Sequence, residues 1–186
     1  GAVGSAVGQI AKLMGCRTVG ITGGPTKCKL CREEFGYDEA IDYKAGALSE
    51  ALAKACPRGV DVYFDNTAGS ISDAVLPQLA MGARVVICGT ASVSSWDPPP
   101  TGPRVERYLL VKRARMAGLL IFDYQHRYEE AVARLADWVR DGSLRRRWPA
   151  PGRRGRVRGA RGAHGRCPGD HPRISPRLTA RSQAPP

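Results

Sequence analysis

Short apolar runs alternate with amphipathic segments along most of this chain. Five runs are rich in apolar or β-branched residues and end at turn-forming residues, which predicts strands at 17–22, 39–43, 60–66, 82–88 and 116–122. Between them apolar residues recur at helical spacing, which predicts helices at 5–15, about 26–35, 46–57, 70–80 and 128–142. This alternation predicts an α/β fold, a doubly wound parallel sheet with helices on both faces.

The alternation ends near residue 145, where the composition changes. Residues 145–186 are dominated by Arg, Pro and Gly, and they hold twelve arginines and a single acid, Asp170. Residues 1–144 are close to neutral, so the tail accounts for nearly all of the net charge of +12. A segment of this composition buries too little apolar surface to offset the entropy lost on ordering. We therefore predict one domain over 1–144 and a disordered tail over 145–186.

Residue types also limit the class of protein. No apolar run approaches the ~20 residues that a membrane-spanning helix needs, and residues 1–15 lack the features of a secretory signal. We therefore expect a cytoplasmic protein with no membrane partner. Residues 1–144 contain one histidine, His126, and no cluster of metal ligands, so no metal site is predicted there.

The cysteines raise two further possibilities. Cys28 and Cys31 form a C-x-x-C pair, for which a zinc or redox role would need a second pair of ligands, or an activated thiol between a strand and a helix, and we interpret the pair as structural. In the tail, the spacing of His164, Cys167 and His171 permits zinc capture. Three ligands without a packed scaffold are more simply explained as a chance arrangement.

The first eight residues, GAVGSAVG, place Gly1, Gly4 and Gly8 at the entrance of a helix. Glycine lets a backbone approach a pyrophosphate closely, and the amide groups of a helix N-terminus attract anions. Small residues are also common where helices pack closely, so the glycines alone leave both interpretations open. The strand–helix alternation that follows favours a dinucleotide-binding site.

The end of the strand at 17–22 bears on which dinucleotide is bound. NAD sites usually place an acid there, which accepts hydrogen bonds from the ribose 2′-OH, but residues 20–26 contain no acid. A Gly-Gly-Pro-Thr turn and Lys27 follow instead. A lysine beside an open glycine turn attracts a 2′-phosphate, which favours NADP as the cofactor. The alternative is that Lys27 is an ordinary solvated residue in the first turn of a helix.

Five segments together resemble a known family: GAVGSAVGQIAKLMGCRTVGITGGPTKC, GYDEAIDYK, GVDVYFDNTAG, ARVVICG and VKRARMAGLLIFDY. In this order they are similar to the zinc-independent medium-chain dehydrogenase/reductases, and within that group to the NADP-dependent alkenal and prostaglandin reductases. The resemblance covers residue 1 to about residue 144. It implies a Rossmann domain that is incomplete here. The first strand, which should end just before Gly1, the GroES-like catalytic domain and the family's C-terminal continuation are all missing.

The resemblance also implies a set of cofactor-binding residues. Ala2, Val3, Gly4 and Ser5 would hold the pyrophosphate, Lys27 and Tyr43 would take the 2′-phosphate, and Asn66 would lie near the cofactor at the carboxyl edge of the sheet. The nicotinamide side would be lined by Cys88, Gly89, Thr90, Ala91, Ser92, Val93, Ser94, Leu119, Leu120 and Ile121. The last three are also typical of a buried strand, so packing is an alternative for them. Without the first strand, the strands at 17–22 and 60–66 are expected to face a gap.

The family reaction transfers hydride from NADPH to the β-carbon of an α,β-unsaturated carbonyl compound, and the resulting enolate is then protonated. The implied partner is a small-molecule enone or enal. Relatives commonly carry a tyrosine in the loop after the strand at 82–88, and Ser94 occupies the corresponding position. Ser94 is therefore a weak candidate for a catalytic residue, and the proton donor is unknown. The resemblance implies a homodimer for full-length relatives and no activity for this fragment alone.

Two hypotheses concern the tail itself. The first is that residues from about 145 are an out-of-frame translation of a GC-rich gene, whose codons yield Arg, Pro, Gly and Ala. The second takes the tail as genuine, so that a Rossmann-type module carries a basic arm that binds RNA or another polyanion. The tail has one aromatic residue, Trp148, and no regular RGG spacing, which makes nucleic acid the less favoured partner.

Overall fold

The computed structural model describes residues 1–93 and 95–145. Ser94 and residues 146–186 lie outside the described residues, so the predictions made for the tail, including disorder, RNA binding and zinc capture, stay predictions. The domain boundary at 144 is likewise a prediction. Within the described ranges, no helix combines the length and the hydrophobicity that crossing a membrane requires.

Each predicted helix and strand has a counterpart in the structure. The α-helices are α1 (Ala2–Leu13), α2 (Pro25–Glu33), α3 (Leu48–Ala55), α4 (Gly69–Val75), α5 (Glu106–Lys112) and α6 (Tyr128–Arg140). The strands are β1 (Val19–Thr22), β2 (Glu39–Asp42), β3 (Val60–Asp65), β4 (Leu79–Ile87) and β5 (Arg115–Gly118). Short 3₁₀ helices lie at Tyr43–Ala45, Leu76–Gln78 and Ile121–Arg127.

The strands form two parallel sheets. β1 pairs with β2, with Thr22 opposite Asp42, and the second sheet has the order β3-β4-β5. The parallel pairing throughout confirms the predicted α/β class. Among the described strands, none pairs with the remaining edge of β1 or of β3. This is the gap that the family resemblance predicts at the position of the first strand.

One hydrophobic core joins the two sheets. Ile41 of β2 belongs to the same buried cluster as Tyr63 of β3 and Val85 of β4. Helix α3 contributes Leu52 to this cluster, and the carbonyl oxygen of Ala55 accepts a hydrogen bond from the Arg17 guanidinium at 2.6 Å. Full burial of a large aliphatic side chain is worth about 1.5–3 kcal/mol. Side-chain packing around α3, rather than strand pairing across the gap, therefore connects the sheets.

The boundary between α4 and β4 differs from the predicted one. The helix predicted at 70–80 ends at Val75, because Pro77 lacks the backbone N–H that a continuing helix would need. The chain then enters β4 at Leu79, which is completely buried. A bulge opposite β3 restores the register before Arg84, and Gly82 within this stretch has φ +72, a conformation that favours glycine.

Two further differences lie in the C-terminal half. The strand predicted at 116–122 is shorter, because β5 ends at Gly118 and the following residues enter a 3₁₀ helix at Ile121. Helix α5 was not predicted at all. It is only 7 residues long, which is too short to show a helical period in the sequence.

Residues after α6 return to helix α1. Leu144 is buried, and its N–H donates to the carbonyl oxygen of Trp138 at 2.7 Å. The buried Gln9 side chain then pairs with the backbone of Arg145, accepting from its N–H at 2.8 Å and donating to its carbonyl oxygen at 3.1 Å. The amide of Gln9 thus joins the start and the end of the described chain.

Tyr37 packs helix α1 against strand β1. Its hydroxyl donates a hydrogen bond to the carbonyl oxygen of Gly4 at 2.5 Å, and its ring lies beside Gly8 and Gly20. A Cβ on Gly8 would lie 1.8 Å from Cζ of the ring, which no real structure could accommodate. Burial raises the pKa of Tyr37 to about 12, so the hydroxyl stays protonated and remains a donor. Gly8 therefore serves close packing, one of the two interpretations left open by the glycine pattern.

Asp38 links the segments that precede β1 and β2. Its carboxylate forms an ion pair with Lys12 of α1 and accepts hydrogen bonds from the Thr18 N–H at 2.8 Å and the Thr18 hydroxyl at 3.2 Å. The bond from Lys12 and the bonds from Thr18 lower the pKa of Asp38 to about 2. The charged form of this carboxyl is therefore favoured by the folded state.

We expect Gly8→Ala to lower the free energy of unfolding by about 1–3 kcal/mol, because the new methyl group displaces the Tyr37 ring. Gly4→Ala is the matched control, since a Cβ there meets nothing within 4 Å. Alanine is the better helix former, so this control should keep or slightly raise stability. Urea denaturation followed by circular dichroism compares the two variants. Equal losses would contradict the assigned role of Gly8.

We expect Asp38→Asn to lower the free energy of unfolding at pH 7 by about 1 kcal/mol, after allowance for solvent screening. The pKa of Asp38 is lower in the folded than in the unfolded chain, so its stabilisation is present above about pH 4. It is lost as the pH falls towards 2, where variant and parent should converge.

Glu33→Gln is the control for Asp38→Asn, because the exposed Lys29–Glu33 pair, at 3.8 Å, is a weak surface ion pair. Urea denaturation at several pH values measures both variants. A difference between Asp38→Asn and the parent that did not change with pH would argue against the ion pair as its cause.

Candidate cofactor-binding site

The residues predicted to bind the cofactor follow the carboxyl ends of the strands or lie at the start of α1. Tyr43 follows β2, Asn66 follows β3, Cys88 follows β4 and Leu119 is the first residue after β5. Lys27 lies in the first turn of α2, just after β1. Open parallel sheets bind their ligands in the crevices at this edge.

Helix α1 begins at Ala2, earlier than the predicted start at residue 5, so the glycine-rich segment is itself helical. The Gly1 N-cap offers no side chain, and the first turn contains no acid. The Ser5 N–H makes the first helical bond, to the Gly1 carbonyl oxygen at 3.0 Å. The amide groups of Ala2, Val3 and Gly4 therefore have no acceptor within the helix. This is the arrangement in which helix N-termini hold phosphate groups.

A turn of two glycines joins β1 to α2. Gly24 has φ +91, which only glycine adopts readily. A Cβ on Gly23 would lie 3.1 Å from Cε1 of Tyr43 and 3.1 Å from Cε of Lys44, so the absence of a side chain lets both lie over the turn. Within the described ranges, neither Lys27 nor Lys44 forms an ion pair.

Asp42, the last residue of β2, connects both sides of this turn. Its Oδ1 accepts hydrogen bonds from the Gly24 N–H at 2.8 Å and from the Lys44 N–H at 3.0 Å. These bonds, chiefly the one from Gly24, hold the pKa of Asp42 below its usual value. Sequence reasoning found no acid at residues 20–26, but the pairing of β1 with β2 brings this one to the turn from another strand.

Asp65, the last residue of β3, organises the next turn from within the protein. Its side chain is almost completely buried, and Oδ1 accepts from the N–H groups of Thr67 and Ala68, each at 2.9 Å. Oδ2 accepts from the Ser72 hydroxyl, which also contacts the Tyr63 hydroxyl at 3.3 Å. Burial raises the pKa of Tyr63 to about 12, so this phenol stays neutral. The network fixes the backbone on either side of Asn66.

The segment after β4 is bonded to the turn that Asp65 organises. Cys88 N–H donates to the carbonyl oxygen of Asp65 at 2.7 Å, and Ala91 N–H donates to that of Asn66 at 3.3 Å. Ser92 N–H donates to the carbonyl oxygen of Thr67 at 2.8 Å. A further bond runs from the Ser92 hydroxyl to the same oxygen at 2.7 Å. The predicted nicotinamide-side residues 88–93 and Asn66 are therefore neighbours.

Gly89 is required by the side chain of Asn66. A Cβ on Gly89 would lie 2.5 Å from Oδ1 of Asn66 and 3.2 Å from its backbone oxygen. The backbone of the loop after β4 thus comes as close to Asn66 as a side-chain-free residue permits. Thr90 and Val93 lie in the same loop and are partly buried, and Ser94 lies outside the described residues.

The three apolar residues after β5 differ in exposure. Leu119 N–H donates to the carbonyl oxygen of Ile87 at 2.8 Å, so Leu119 extends the contact between β5 and β4. Leu120 and Ile121 are 63% and 59% exposed. The alternative that they are buried strand residues is therefore wrong for these two. They present an apolar surface beside the end of β4.

The described residues contain no group of three or more His, Cys, Asp or Glu side chains that could hold a metal ion. Cys28 is buried and Cys31 partly buried, both as free thiols. Burial raises the pKa of each thiol, which disfavours the reactive thiolate. The C-x-x-C pair thus has the properties of packing residues.

These features define the class of the protein: a parallel α/β domain with free amide groups at the start of α1 and a glycine turn after β1, where Lys27 and Lys44 form no ion pair within the described residues, as in dinucleotide-binding domains. The chain belongs to the zinc-binding dehydrogenase family, whose sequence model matches residues 2–137. The predicted membership of the medium-chain dehydrogenase/reductases is confirmed.

Several relatives are similar to this chain. The NADPH-dependent curcumin reductase of Escherichia coli is 42% identical over 149 residues, covering 77% of this chain and 43% of the relative. The NADP-dependent 2-alkenal reductase of Nicotiana tabacum is 39% identical over 145 residues, covering 77% and 42%. The crystal structure of CurA from Vibrio vulnificus in complex with NADPH superposes with a TM-score of 0.72 at 46% identity, covering 79% and 45%. The chain therefore spans less than half the length of these relatives.

We expect Asp65→Ala to lower the free energy of unfolding by about 2–4 kcal/mol, because the amides of Thr67 and Ala68 and the Ser72 hydroxyl lose their acceptor inside the protein. Asp65→Asn, which keeps one acceptor oxygen, should lose less. Asp61→Ala is the control, since Asp61 is an exposed residue of the same strand. Urea denaturation provides the measurement. If Asp65→Ala were as stable as Asp61→Ala, the network would not organise the turn.

Proposed function

We propose that this chain is the cofactor-binding part of an NADPH-dependent oxidoreductase that reduces the C=C bond of α,β-unsaturated carbonyl compounds. The observation that carries the proposal is the turn at Gly23–Gly24, where Lys27 has no ionic partner among the described residues. Tyr43 lies over the same turn. An ammonium group and a phenol are the donors that suit the oxygen atoms of a 2′-phosphate.

The start of α1 fits the pyrophosphate of the same cofactor. The free amide groups of Ala2, Val3 and Gly4 offer hydrogen bonds, and the helix dipole favours the negative charge. A Cβ on Gly4 would meet no atom within 4 Å, which leaves room for a ligand to reach the first turn. The Ser5 hydroxyl bonds to the Ala2 carbonyl oxygen at 2.9 Å and keeps its lone pairs as acceptors.

The remaining cofactor contacts in this proposal lie on the nicotinamide side. NADPH, when bound, supplies the hydride for the reduction. Asn66 and the loop at 88–93 would orient its ring, because their backbone is held in place by bonds to the turn after β3. The exposed Leu120 and Ile121 would cover the ring and exclude water. Ser94 is a candidate for hydrogen bonding near the substrate oxygen, and the proton donor is not assigned.

The substrate class comes from the relatives. Two relatives carry the names of a curcumin reductase and a 2-alkenal reductase, which is the basis for proposing an enone or enal substrate here. Since the chain spans less than half of their length, we expect this chain to bind NADPH without turning over substrate by itself. We further propose that the full-length enzyme is a cytoplasmic homodimer, as the family resemblance implies.

We expect the chain to bind NADPH at least tenfold more tightly than NADH, because only NADPH carries the 2′-phosphate. Lys27→Glu should weaken NADPH binding by about 10- to 100-fold and leave NADH binding nearly unchanged, so that the preference is lost. Titration of each nucleotide, followed by its fluorescence, measures both dissociation constants.

Lys29→Glu is the matched control for Lys27→Glu. It makes the same charge change on the same helix, but Lys29 pairs with Glu33 and is not in the first turn. This variant should keep the preference for NADPH. Equal affinity of the parent chain for NADPH and NADH would contradict the proposed cofactor specificity.

A further inference from the structure

Lys44 reaches the glycine turn from the end of β2, whereas Lys27 follows the turn along the chain. It belongs to the 3₁₀ helix that follows β2, and its Cε is 3.1 Å from the position of a Cβ on Gly23. Its side chain therefore contacts the turn, although the residue as a whole is exposed to solvent. It is not part of any ion pair within the ranges that the structure describes. Lys44 and Tyr43 therefore both contact the turn that leads to Lys27.

The carboxylate of Asp42 holds this arrangement together. One oxygen, Oδ1, accepts from the amides of Gly24 and Lys44, so it fixes the turn and the start of the 3₁₀ helix relative to each other. The turn leads to Lys27, and the 3₁₀ helix carries Tyr43 and Lys44. One acceptor atom thus links the two backbone segments that carry Lys27, Tyr43 and Lys44.

The negative charge of Asp42 is unfavourable in a pocket for a phosphate. Two amide hydrogen bonds stabilise the charge but do not remove it, and its repulsion acts on any nearby anion. A second ammonium group would offset that repulsion. Lys44 is suitably placed, because its charge also helps to lower the pKa of Asp42.

We infer that Lys44 is a second cationic ligand for the 2′-phosphate of NADPH, and that Asp42 is the residue that positions it. The inference rests on the proposed function, since it assigns further residues to the same pocket. Lys27, in the first turn of α2, and Lys44, after β2, would together hold the phosphate at the Gly23–Gly24 turn.

The first test compares Lys44→Gln with Lys54→Gln. Lys44→Gln should weaken NADPH binding by about three- to tenfold and leave NADH binding unchanged. Lys54 is an exposed lysine of α3, outside the glycine turn and the 3₁₀ helix that follows β2, so Lys54→Gln should change neither value. Nucleotide fluorescence titration of the full chain provides the dissociation constants. An unchanged NADPH-to-NADH ratio in Lys44→Gln, or equal weakening of both nucleotides, overturns the inference.

The second test separates the acceptor of Asp42 from its charge. Asp42→Asn keeps an oxygen for the two amides and removes the charge, so NADPH binding should be equal to or a few times tighter than in the parent. Asp42→Ala removes the acceptor, and NADPH binding should weaken more than NADH binding. Circular dichroism checks that each variant is folded. If Asp42→Asn loses NADPH selectivity as Asp42→Ala does, or if Asp42→Ala retains it, the positioning role is wrong.

These outcomes separate the inference from the proposed function. A parent that does not prefer NADPH over NADH contradicts the proposed cofactor and the inference together. A parent that prefers NADPH, loses that preference in Lys27→Glu and keeps it in Lys44→Gln leaves the proposed function intact and refutes only the role of Lys44.

Discussion

The register of the parallel strand pairs is the constraint on which the candidate site depends. Thr22 lies opposite Asp42, so the last residue of β2 reaches the amide of Gly24 just beyond β1. Asp65 lies opposite Ile87 in the same way, so its carbonyl oxygen meets the amide of Cys88. In both pairs an aspartate ends one strand and bonds to the backbone that follows its neighbour. A shift by one residue would remove the Asp42 carboxylate from the Gly24 amide and the Asp65 carbonyl oxygen from the Cys88 amide.

The glycines of the chain perform different tasks, which their spacing does not reveal. Gly4 lies in the first turn of α1 with open space around it. Gly8, one turn later, is in contact with the Tyr37 ring, which occupies the space that a side chain would need. Gly23 and Gly89 each make room for a side chain of the site itself, respectively Tyr43 and Asn66. A pattern of glycines therefore identifies a segment where backbone is approached closely, and only the structure says whether the neighbour is a ligand or the protein.

The fold could be predicted because strands and helices of ordinary length leave a clear hydrophobic pattern. Where the predicted elements differ from the structure, the causes are local. Pro77 ends α4 early, and the 7 residues of α5 are too few to show a helical period. Lys27 was found because it is close in sequence to the glycine turn. Asp42 and Lys44 were missed as partners of that turn, because they reach it through strand pairing. A sequence pattern runs along one strand, whereas a site at the edge of a sheet is assembled from two.

The two aspartates also differ in what their burial allows. Asp65 is almost completely enclosed, so its charge must be matched by hydrogen-bond donors from the protein itself, and it has them in Thr67, Ala68 and Ser72. Asp42 is only partly buried, so water also reaches its charge, and its two amide bonds serve geometry more than solvation. The carboxylate of Asp65 therefore serves the structure of its own turn. A surface carboxylate can order a pocket for an anion, provided that cations such as Lys27 and Lys44 outweigh it within a Debye length.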